Sequence, residues 1–373
     1  MELIKIKHMK NILLIFFGLL LSSMTYAQQG DTTATTVQDG IATQDTVVVL
    51  SAEDMQAAEK LYNEGVAFYT KGEYAKALSK FNNAIKIKAN FPKAYYNLAL
   101  CHIETANLDS AIEDLNNVIM LQAYDKAYYL RGTVRVDMNE LSDAKADFEQ
   151  AIAIDSSTVR GESYYYLGGI AFENQQYKHA IQNYDSSLNY LPNYAFAFND
   201  RGSANRMLEK YDKAIADYQK ALQADPKMAI AYSNMGSVER KKNNLEAAVD
   251  DYTKAIEIDP KLVIAYNSRG VVYKDLKEYT KAIADFNKVI ELNPDYMYAY
   301  NNLGNVKFKM EQYEAAVKDY DKAISLDANY GFAYLNRGIA KEMLRDKEGA
   351  CADWKQAYKL GVESAKTYIS QCE

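Results

Sequence analysis

The sequence predicts an all-α fold, a solenoid of about nine antiparallel helix pairs followed by a C-terminal capping helix. Three features that recur with one period predict it: a repeated alanine, a glycine twelve residues before it, and a large apolar residue four residues after it. The alanines recur in steps of 33 to 36 residues, at Ala77, Ala111, Ala144, Ala180, Ala214, Ala248, Ala282, Ala316 and Ala350.

The first helix of each predicted pair carries the repeated glycine, from Gly65 to Gly338, with Ala99 as the one substitute. A glycine inside a helix costs roughly 0.5 to 1 kcal/mol relative to alanine. Glycine at so many equivalent positions therefore indicates that a second helix approaches the first one closely.

The second helix is predicted from an alanine, an aromatic residue and a small residue at i, i+4 and i+7, which share one helix face. In the seventh repeat these residues are Ala282, Phe286 and Val289. Turn-forming residues, as at 71–73, separate the two helices. Prolines follow the second helices at Pro192, Pro226, Pro260 and Pro294.

This pattern resembles the tetratricopeptide repeat, a 34-residue unit with glycine, alanine, aromatic and proline signature positions. The seventh repeat matches it most fully, through Gly270, Tyr273, Ala282, Phe286 and Pro294. With the glycine numbered as position eight, nine repeats run from 58 to about 362. The resemblance implies a right-handed superhelix, with first helices lining a concave groove that binds protein or peptide.

Four segments are expected along the chain. Residues 1–27 have the basic start, apolar core and small-residue cleavage site of a signal peptide. Residues 28–50 form a flexible lead rich in Thr, Gln and Asp, residues 51–361 the nine repeats, and residues 362–373 the capping helix. The protein is therefore expected to be periplasmic or secreted, with no lipid-anchor cysteine and no stable membrane span once the signal is removed.

Cys351 and Cys372 flank the end of the last repeat. In an oxidising compartment they can pair and hold the cap in place. Spacing does not establish the required geometry, so two free thiols remain the alternative. Cys101 lies inside a predicted helix and is interpreted as a buried small apolar residue.

The charge and the missing motifs exclude several functions. The formal net charge is −7, and a protein with net negative charge binds nucleic acid poorly. No zinc-type ligand spacing, phosphate-binding loop or catalytic constellation is found, so we expect no metal, no cofactor and no enzyme activity.

Acidic and basic residues recur at fixed positions of the repeat. We predict that the arginines pair with aspartates between helices and set the packing register. The arginines are Arg131, Arg201, Arg269 and Arg337, and the aspartates are Asp114, Asp147, Asp217, Asp251, Asp285, Asp319 and Asp353.

Three repeat positions are candidates for the groove. Position six carries a discontinuous asparagine ladder: Asn63, Asn97, Asn234, Asn302 and Asn336. Position five changes along the chain, from Tyr96, Tyr129 and Tyr165 to Asn267 and Asn301, which predicts an aromatic half and a polar half. Position twelve carries a basic strip, Arg206, Arg240 and Lys274.

These positions have two interpretations each. A carboxamide can hold one peptide unit of an extended chain, as the ladder of O-linked N-acetylglucosamine transferase does, or it can serve in packing between repeats. The basic strip can bind an acidic segment or form a solvated helix face. The carboxylate clamp of chaperone-binding relatives needs lysine at position five and asparagine at position nine of one repeat, and no repeat has that pair.

We therefore expect a non-enzymatic scaffold or adaptor of the cell envelope that binds protein or peptide segments in the concave groove. One alternative is a structural subunit of a larger envelope assembly, in secretion or outer-membrane biogenesis. Another is a regulatory or catalytic subunit that acts on cell-wall glycan, which the absence of a catalytic constellation disfavours.

Overall fold

The computed structural model describes residues 50–154 and 157–372. The predicted signal peptide and nearly all of the predicted lead lie outside these residues. The chain divides into two compact units between Val159 and Arg160. The described residues of both units form α-helices joined by short turns, which confirms the predicted all-α class.

The first unit contains three helix pairs. Their helices are α1 Ala52–Thr70, α2 Tyr74–Ile87, α3 Pro92–Glu104, α4 Leu108–Leu121, α5 Asp125–Asp137 and α6 Leu141–Ile154. Ser51 caps α1, since its hydroxyl accepts a hydrogen bond of 3.0 Å from the Asp54 backbone N–H.

The second unit contains six pairs and the C-terminal cap. Helices α7 to α12 are Ser157–Glu173, Tyr177–Tyr190, Ala195–Met207, Tyr211–Ala224, Ala229–Lys241 and Leu245–Ile258. Helices α13 to α19 are Val263–Asp275, Tyr279–Leu292, Met297–Lys309, Tyr313–Leu326, Gly331–Met343, Lys347–Lys359 and Lys366–Ile369.

The repeated glycines lie where the two helices of a pair touch. A Cβ added to Gly65 would lie 2.6 Å from Phe81 Cε1, and one added to Gly270 would lie 2.8 Å from Phe286 Cε1. The aromatic rings are fully buried. The prediction that glycine permits close approach of the second helix is therefore confirmed.

The turn within each pair contains a residue in the left-handed region. In the first repeat it is Gly72, with φ 74°. In the seventh it is Lys277, with φ 61°, and Glu278 N–H donates to the Tyr273 carbonyl at 2.8 Å. This is the Schellman motif that ends many helices. The equivalent residues elsewhere are Ala106, Asn139, Gln175, Glu209, Asn243, Glu311 and Arg345.

The predicted arginine–aspartate pairs join the two helices of a repeat. In the seventh repeat Arg269 Nε donates to Asp285 Oδ2 at 2.9 Å and Nη2 donates to Oδ1 at 2.8 Å. The same two-bond geometry recurs in three other repeats, as Arg131–Asp147, Arg201–Asp217 and Arg337–Asp353. Because both partners are largely buried, the pairs fix packing register.

The C-terminal cap covers the end of the last repeat. After α18 the chain forms a short 3-10 turn, 363–365, and the one-turn helix α19. Tyr368 packs on Trp354 with ring centroids 5.2 Å apart. Cys351 and Cys372 form a disulfide with Cα atoms 5.7 Å apart. Cys101 is fully buried, as predicted.

Candidate functional site

The asparagine ladder bonds neighbouring first helices to each other. In the second unit Asn234 Nδ2 donates to Asn199 Oδ1 at 3.0 Å, and Asn302 Nδ2 donates to Asn267 Oδ1 at 3.0 Å. Asn336 likewise donates to Asn301 at 2.9 Å. Each of these position-six carboxamides thus donates one N–H to position five of the preceding repeat, and within the described residues its second N–H and its oxygen make no further hydrogen bond.

The ladder is less regular in the first unit. Asn97 Nδ2 donates to the Tyr62 hydroxyl at 2.8 Å, so a phenol takes the place of the carboxamide acceptor. Asn63 is exposed on α1 and borders an open depression lined by that helix alone. A depression lined by one helix lacks the converging groups of a binding site.

Position five does not line the groove as predicted. Tyr129 and Tyr165 are only 2% and 8% exposed, and Tyr129 lies 6.0 Å from Phe148 between ring centroids. Asn301 is buried as well. The reason is geometric, since position five precedes the glycine by three residues and shares its face toward the second helix. The predicted division into an aromatic and a polar half is therefore wrong at these residues.

The remaining position-five side chains are partly buried. Tyr96 packs edge-on against Tyr124, with ring centroids 5.7 Å apart. Asn267 is the acceptor for Asn302. Position five therefore supports the stacking of repeats and contributes little exposed surface.

The first two residues of the basic strip, Arg206 and Arg240, have no carboxylate partner in the part of the chain that the structure describes. Their Nε atoms are buried and lack a hydrogen-bond acceptor. They differ in this from Arg201, five residues before Arg206 on the same helix, which binds Asp217 through two hydrogen bonds. Arg206 also hydrogen-bonds the Tyr218 hydroxyl, but a neutral phenol does not neutralise its charge. Both positive charges are therefore suited to an external anion.

The arginines of the strip partly offset the rise that burial causes in the pKa values of two tyrosines. Burial raises the pKa of Tyr252, and the charge of Arg240 is the largest effect that opposes the rise. Burial also raises the pKa of Tyr218, which a hydrogen bond with Ser203 and both the charge of Arg206 and a hydrogen bond from it partly offset. The guanidinium charges therefore lie close to the aromatic residues beneath the groove.

Lys274 ends the basic strip at a small cavity. Its Nζ lies 3.1 Å from Asp275 Oδ1, and its side chain is about one quarter exposed. The cavity measures about 210 Å³, below the range of roughly 300 to 1,000 Å³ for small-molecule sites. Its size suits a single side chain of a longer ligand. The lining residues are Lys274, Asn305, Phe308, Lys309, Tyr320, Asn336 and Ile339.

Sequence reasoning missed an apolar stripe at position two. Ile264, Tyr298 and Phe332 are 49%, 44% and 55% exposed. Tyr298 contacts Tyr330 edge-on at 5.3 Å between centroids. The stripe consists of Phe196, Ile230, Ile264, Tyr298 and Phe332. The constant 34-residue spacing of these residues is visible in the sequence, but buried core residues of the repeat have the same spacing. Only the exposure of Ile264, Tyr298 and Phe332 in the structure distinguishes them from core residues.

The stripe and the strip occupy the same first helices of the second unit. Ile264 and Lys274 both lie on α13, ten residues apart, which corresponds to about 15 Å along a helix. The first helices α9, α11 and α13 thus carry an apolar side chain near one end and a positive charge near the other. Such a surface can hold a polypeptide segment.

Within residues 50–154 and 157–372 no cluster of three or more His, Cys, Asp or Glu side chains could hold a metal ion. His102 Nδ1 lies 2.8 Å from Asp114 Oδ2, and burial raises the pKa of Asp114 to about 6.

None of the described helices combines the length and the apolar character needed to cross a bilayer.

Curated relatives match part of the chain. Dynein axonemal assembly factor 4 of Pongo pygmaeus is 30% identical over 114 residues, which are 28% of this chain and 27% of that protein. The chain spans about a quarter of the length of the curated relatives that it matches first.

Solved structures show the same fold at low identity. A tetratricopeptide repeat protein from Parabacteroides merdae is 22% identical with a TM-score of 0.54, and the match covers 66% of this chain and 98% of that one. The APC/C hetero-tetramer Cut9-Hcn1 is 12% identical with a TM-score of 0.56, and the match covers 84% of this chain and 76% of that one.

Family models match most of the chain. Those described as tetratricopeptide repeat match residues 92–125, 129–198, 195–228, 263–296 and 298–330. One described as TPR repeat matches residues 65–105 and 236–277. Members of this family are generally scaffolds without catalytic activity that bind proteins or peptides. The chain belongs to the tetratricopeptide repeat family.

Proposed function

We propose that this protein is a non-enzymatic scaffold that binds an extended protein or peptide segment on the first-helix face of its second unit. The observation that carries the proposal is that the first helices bear both guanidinium groups with no carboxylate partner in the described residues and exposed large apolar side chains. Interface surfaces combine these features, because apolar anchors supply affinity and charges supply orientation.

The second helices provide the comparison surface. Ile258, at the end of α12, is 37% exposed, whereas Ile264, at the start of α13, is 49% exposed. A photoreactive residue at either position of the full-length protein therefore reaches solvent. The two positions differ in whether they belong to the first-helix face.

The experiment is photo-crosslinking in intact cells, followed by reconstitution with the purified captured protein. We expect one defined partner to crosslink at Ile264 and not at Ile258. We also expect that partner to bind the purified wild-type protein and to bind the Ile264→Ser/Phe332→Ser variant at least ten-fold more weakly. Equal crosslinking at both positions, or unchanged affinity in the variant, would contradict the proposed site.

We also propose that the protein works in the cell envelope after export, as the features of residues 1–27 favour. N-terminal sequencing of the protein recovered from its native cells tests this. A mature chain beginning near Gln28 in the periplasmic or secreted fraction supports export, and an intact N-terminus in the cytoplasmic fraction contradicts it.

A further inference from the structure

Position twelve changes in a defined order along the second unit. Successive first helices carry Arg206, Arg240, Lys274 and then Phe308. Lys274 and Phe308 both line the cavity of about 210 Å³. The groove therefore presents three positive charges followed by a cavity in which Phe308 and Ile339 supply apolar contact beside lysine and asparagine side chains.

In the described residues Arg206 and Arg240 form no ion pair with the protein's own carboxylates, whereas Lys274 Nζ lies 3.1 Å from Asp275 Oδ1 in a partly exposed pair. Arg201 and Arg269 hold Asp217 and Asp285, so the structural aspartates of these repeats already have partners. Arg206 and Arg240 keep buried Nε donors without an acceptor in the described chain. In a protein of net charge −7, such a local positive strip selects for negative charge in the ligand.

The repeat spacing sets where those negative charges should lie. Hydrogen bonds between Asn234 and Asn199, and between Asn302 and Asn267, show that successive first helices are direct neighbours. Packed helices lie about 8 to 10 Å apart. A polyproline II segment advances about 3.1 Å per residue with three residues per turn, so every third side chain returns to one face after roughly 9.3 Å.

We propose, building on the proposed scaffold function, that the partner segment is extended and carries carboxylates at every third residue. Three of them dock on Arg206, Arg240 and Lys274. An apolar side chain three residues beyond the last carboxylate enters the cavity beside Phe308. The recognised pattern is acid-x-x-acid-x-x-acid-x-x-apolar, in one chain direction or the reverse.

The test is fluorescence anisotropy with the full-length protein and synthetic labelled peptides. The main probe is a proline- and alanine-based peptide with aspartate at its first, fourth and seventh positions and leucine at its tenth. A second peptide has the same composition with the three aspartates adjacent. We expect the spaced peptide to bind at least ten-fold more tightly, since only it matches all three cations.

Variants connect the binding to the strip. Arg206→Gln/Arg240→Gln/Lys274→Gln should weaken binding of the spaced peptide at least ten-fold. The matched control removes three exposed lysines of the second helices, Lys213→Gln/Lys318→Gln/Lys347→Gln, and should change binding less than two-fold. Circular dichroism of both variants checks that helix content is retained.

Each contrary result overturns the inference in a distinct way. Equal binding of the two peptides would show that the three-residue spacing does not matter. Equal loss of affinity in the two triple variants would show that the basic strip does not bind the peptide. Tighter binding of an oligothymidylate than of the spaced peptide would assign the strip to nucleic acid. If the partner captured at Ile264 binds the strip variant normally, the scaffold function stands and this inference falls.

Discussion

The sixth repeat contains a buried acid without its usual basic partner. Asp251 is 6% exposed on α12. The residue sixteen positions earlier, where other repeats have the pairing arginine, is Met235, and the residue twelve positions earlier is Glu239. Burial raises the pKa of Asp251 to about 6, against the opposing charge of Lys254 and with a further rise from Glu239.

The size of the effect follows from that pKa. A shift from about 4 in the unfolded chain to about 6 corresponds to roughly 3 kcal/mol at 1.36 kcal/mol per pH unit. Because the folded pKa is raised, the ionised carboxylate favours the unfolded chain. The destabilisation is absent below pH 4, grows between pH 4 and 6, and is complete above pH 6.

The Asp251→Asn substitution removes this charge. We expect it to stabilise the sixth repeat by up to about 3 kcal/mol at pH 7.5 and by little at pH 4. The matched control is Asp285→Asn, which takes a carboxylate away from Arg269. That variant should instead lose about 3 to 5 kcal/mol at pH 7.5, because it leaves a buried guanidinium unpaired.

The assay is hydrogen exchange of the peptide 245–258 at the two pH values, supported by denaturation midpoints in urea. Local exchange is the better readout, since repeat arrays unfold in segments. Slower exchange in Asp251→Asn that is confined to pH values above 6 supports the reasoning. Faster exchange at pH 7.5, or a difference independent of pH, would refute it.

Three other predictions concern packing, the cap and the turns. Gly168→Ala should destabilise the protein by about 1 to 3 kcal/mol, since the new Cβ would lie 2.5 Å from Tyr184 Cε1. Gly169→Ala, where the new Cβ meets no atom within 4 Å, should instead stabilise it by about 0.5 to 1 kcal/mol. A higher melting temperature for Gly168→Ala than for Gly169→Ala would contradict this. Cys372→Ser should cost about 3 kcal/mol, because it opens a loop with a sequence separation of 21, and unchanged hydrogen exchange of the last helix pair would count against it. Lys277→Gly should raise the melting temperature by relieving about 1 kcal/mol of left-handed strain at φ 61°, and a lower melting temperature would disprove the strain.

Much of the fold could be predicted because the repeat fixes pairs of residues at constant offsets. The repeated glycine and the aromatic residue of the second helix are sixteen residues apart, as Gly270 and Phe286 are. The contact with the ring explains why the helix carries a glycine there despite its cost. Arg269 and Asp285 have the same offset, so their ion pair could be predicted as well. Local spacing was sufficient for both.

The candidate site was harder to predict, because a groove depends on which helix face remains uncovered. Tyr129 has the composition of a contact residue, but Phe148 covers it. Ile264 has the composition of a core residue, but it remains exposed. The left-handed conformation of Lys277 could not be predicted either, because residues other than glycine rarely adopt it.

The central claim is that the first-helix face of the second unit binds an extended segment. Hydrogen exchange of the full-length protein with and without the purified captured partner tests it most directly. The account predicts slower exchange in α9, α11 and α13, whose residues carry both the strip and the stripe, and unchanged exchange in α10, α12 and α14. Protection confined to the second helices, or to the first unit, would contradict the account.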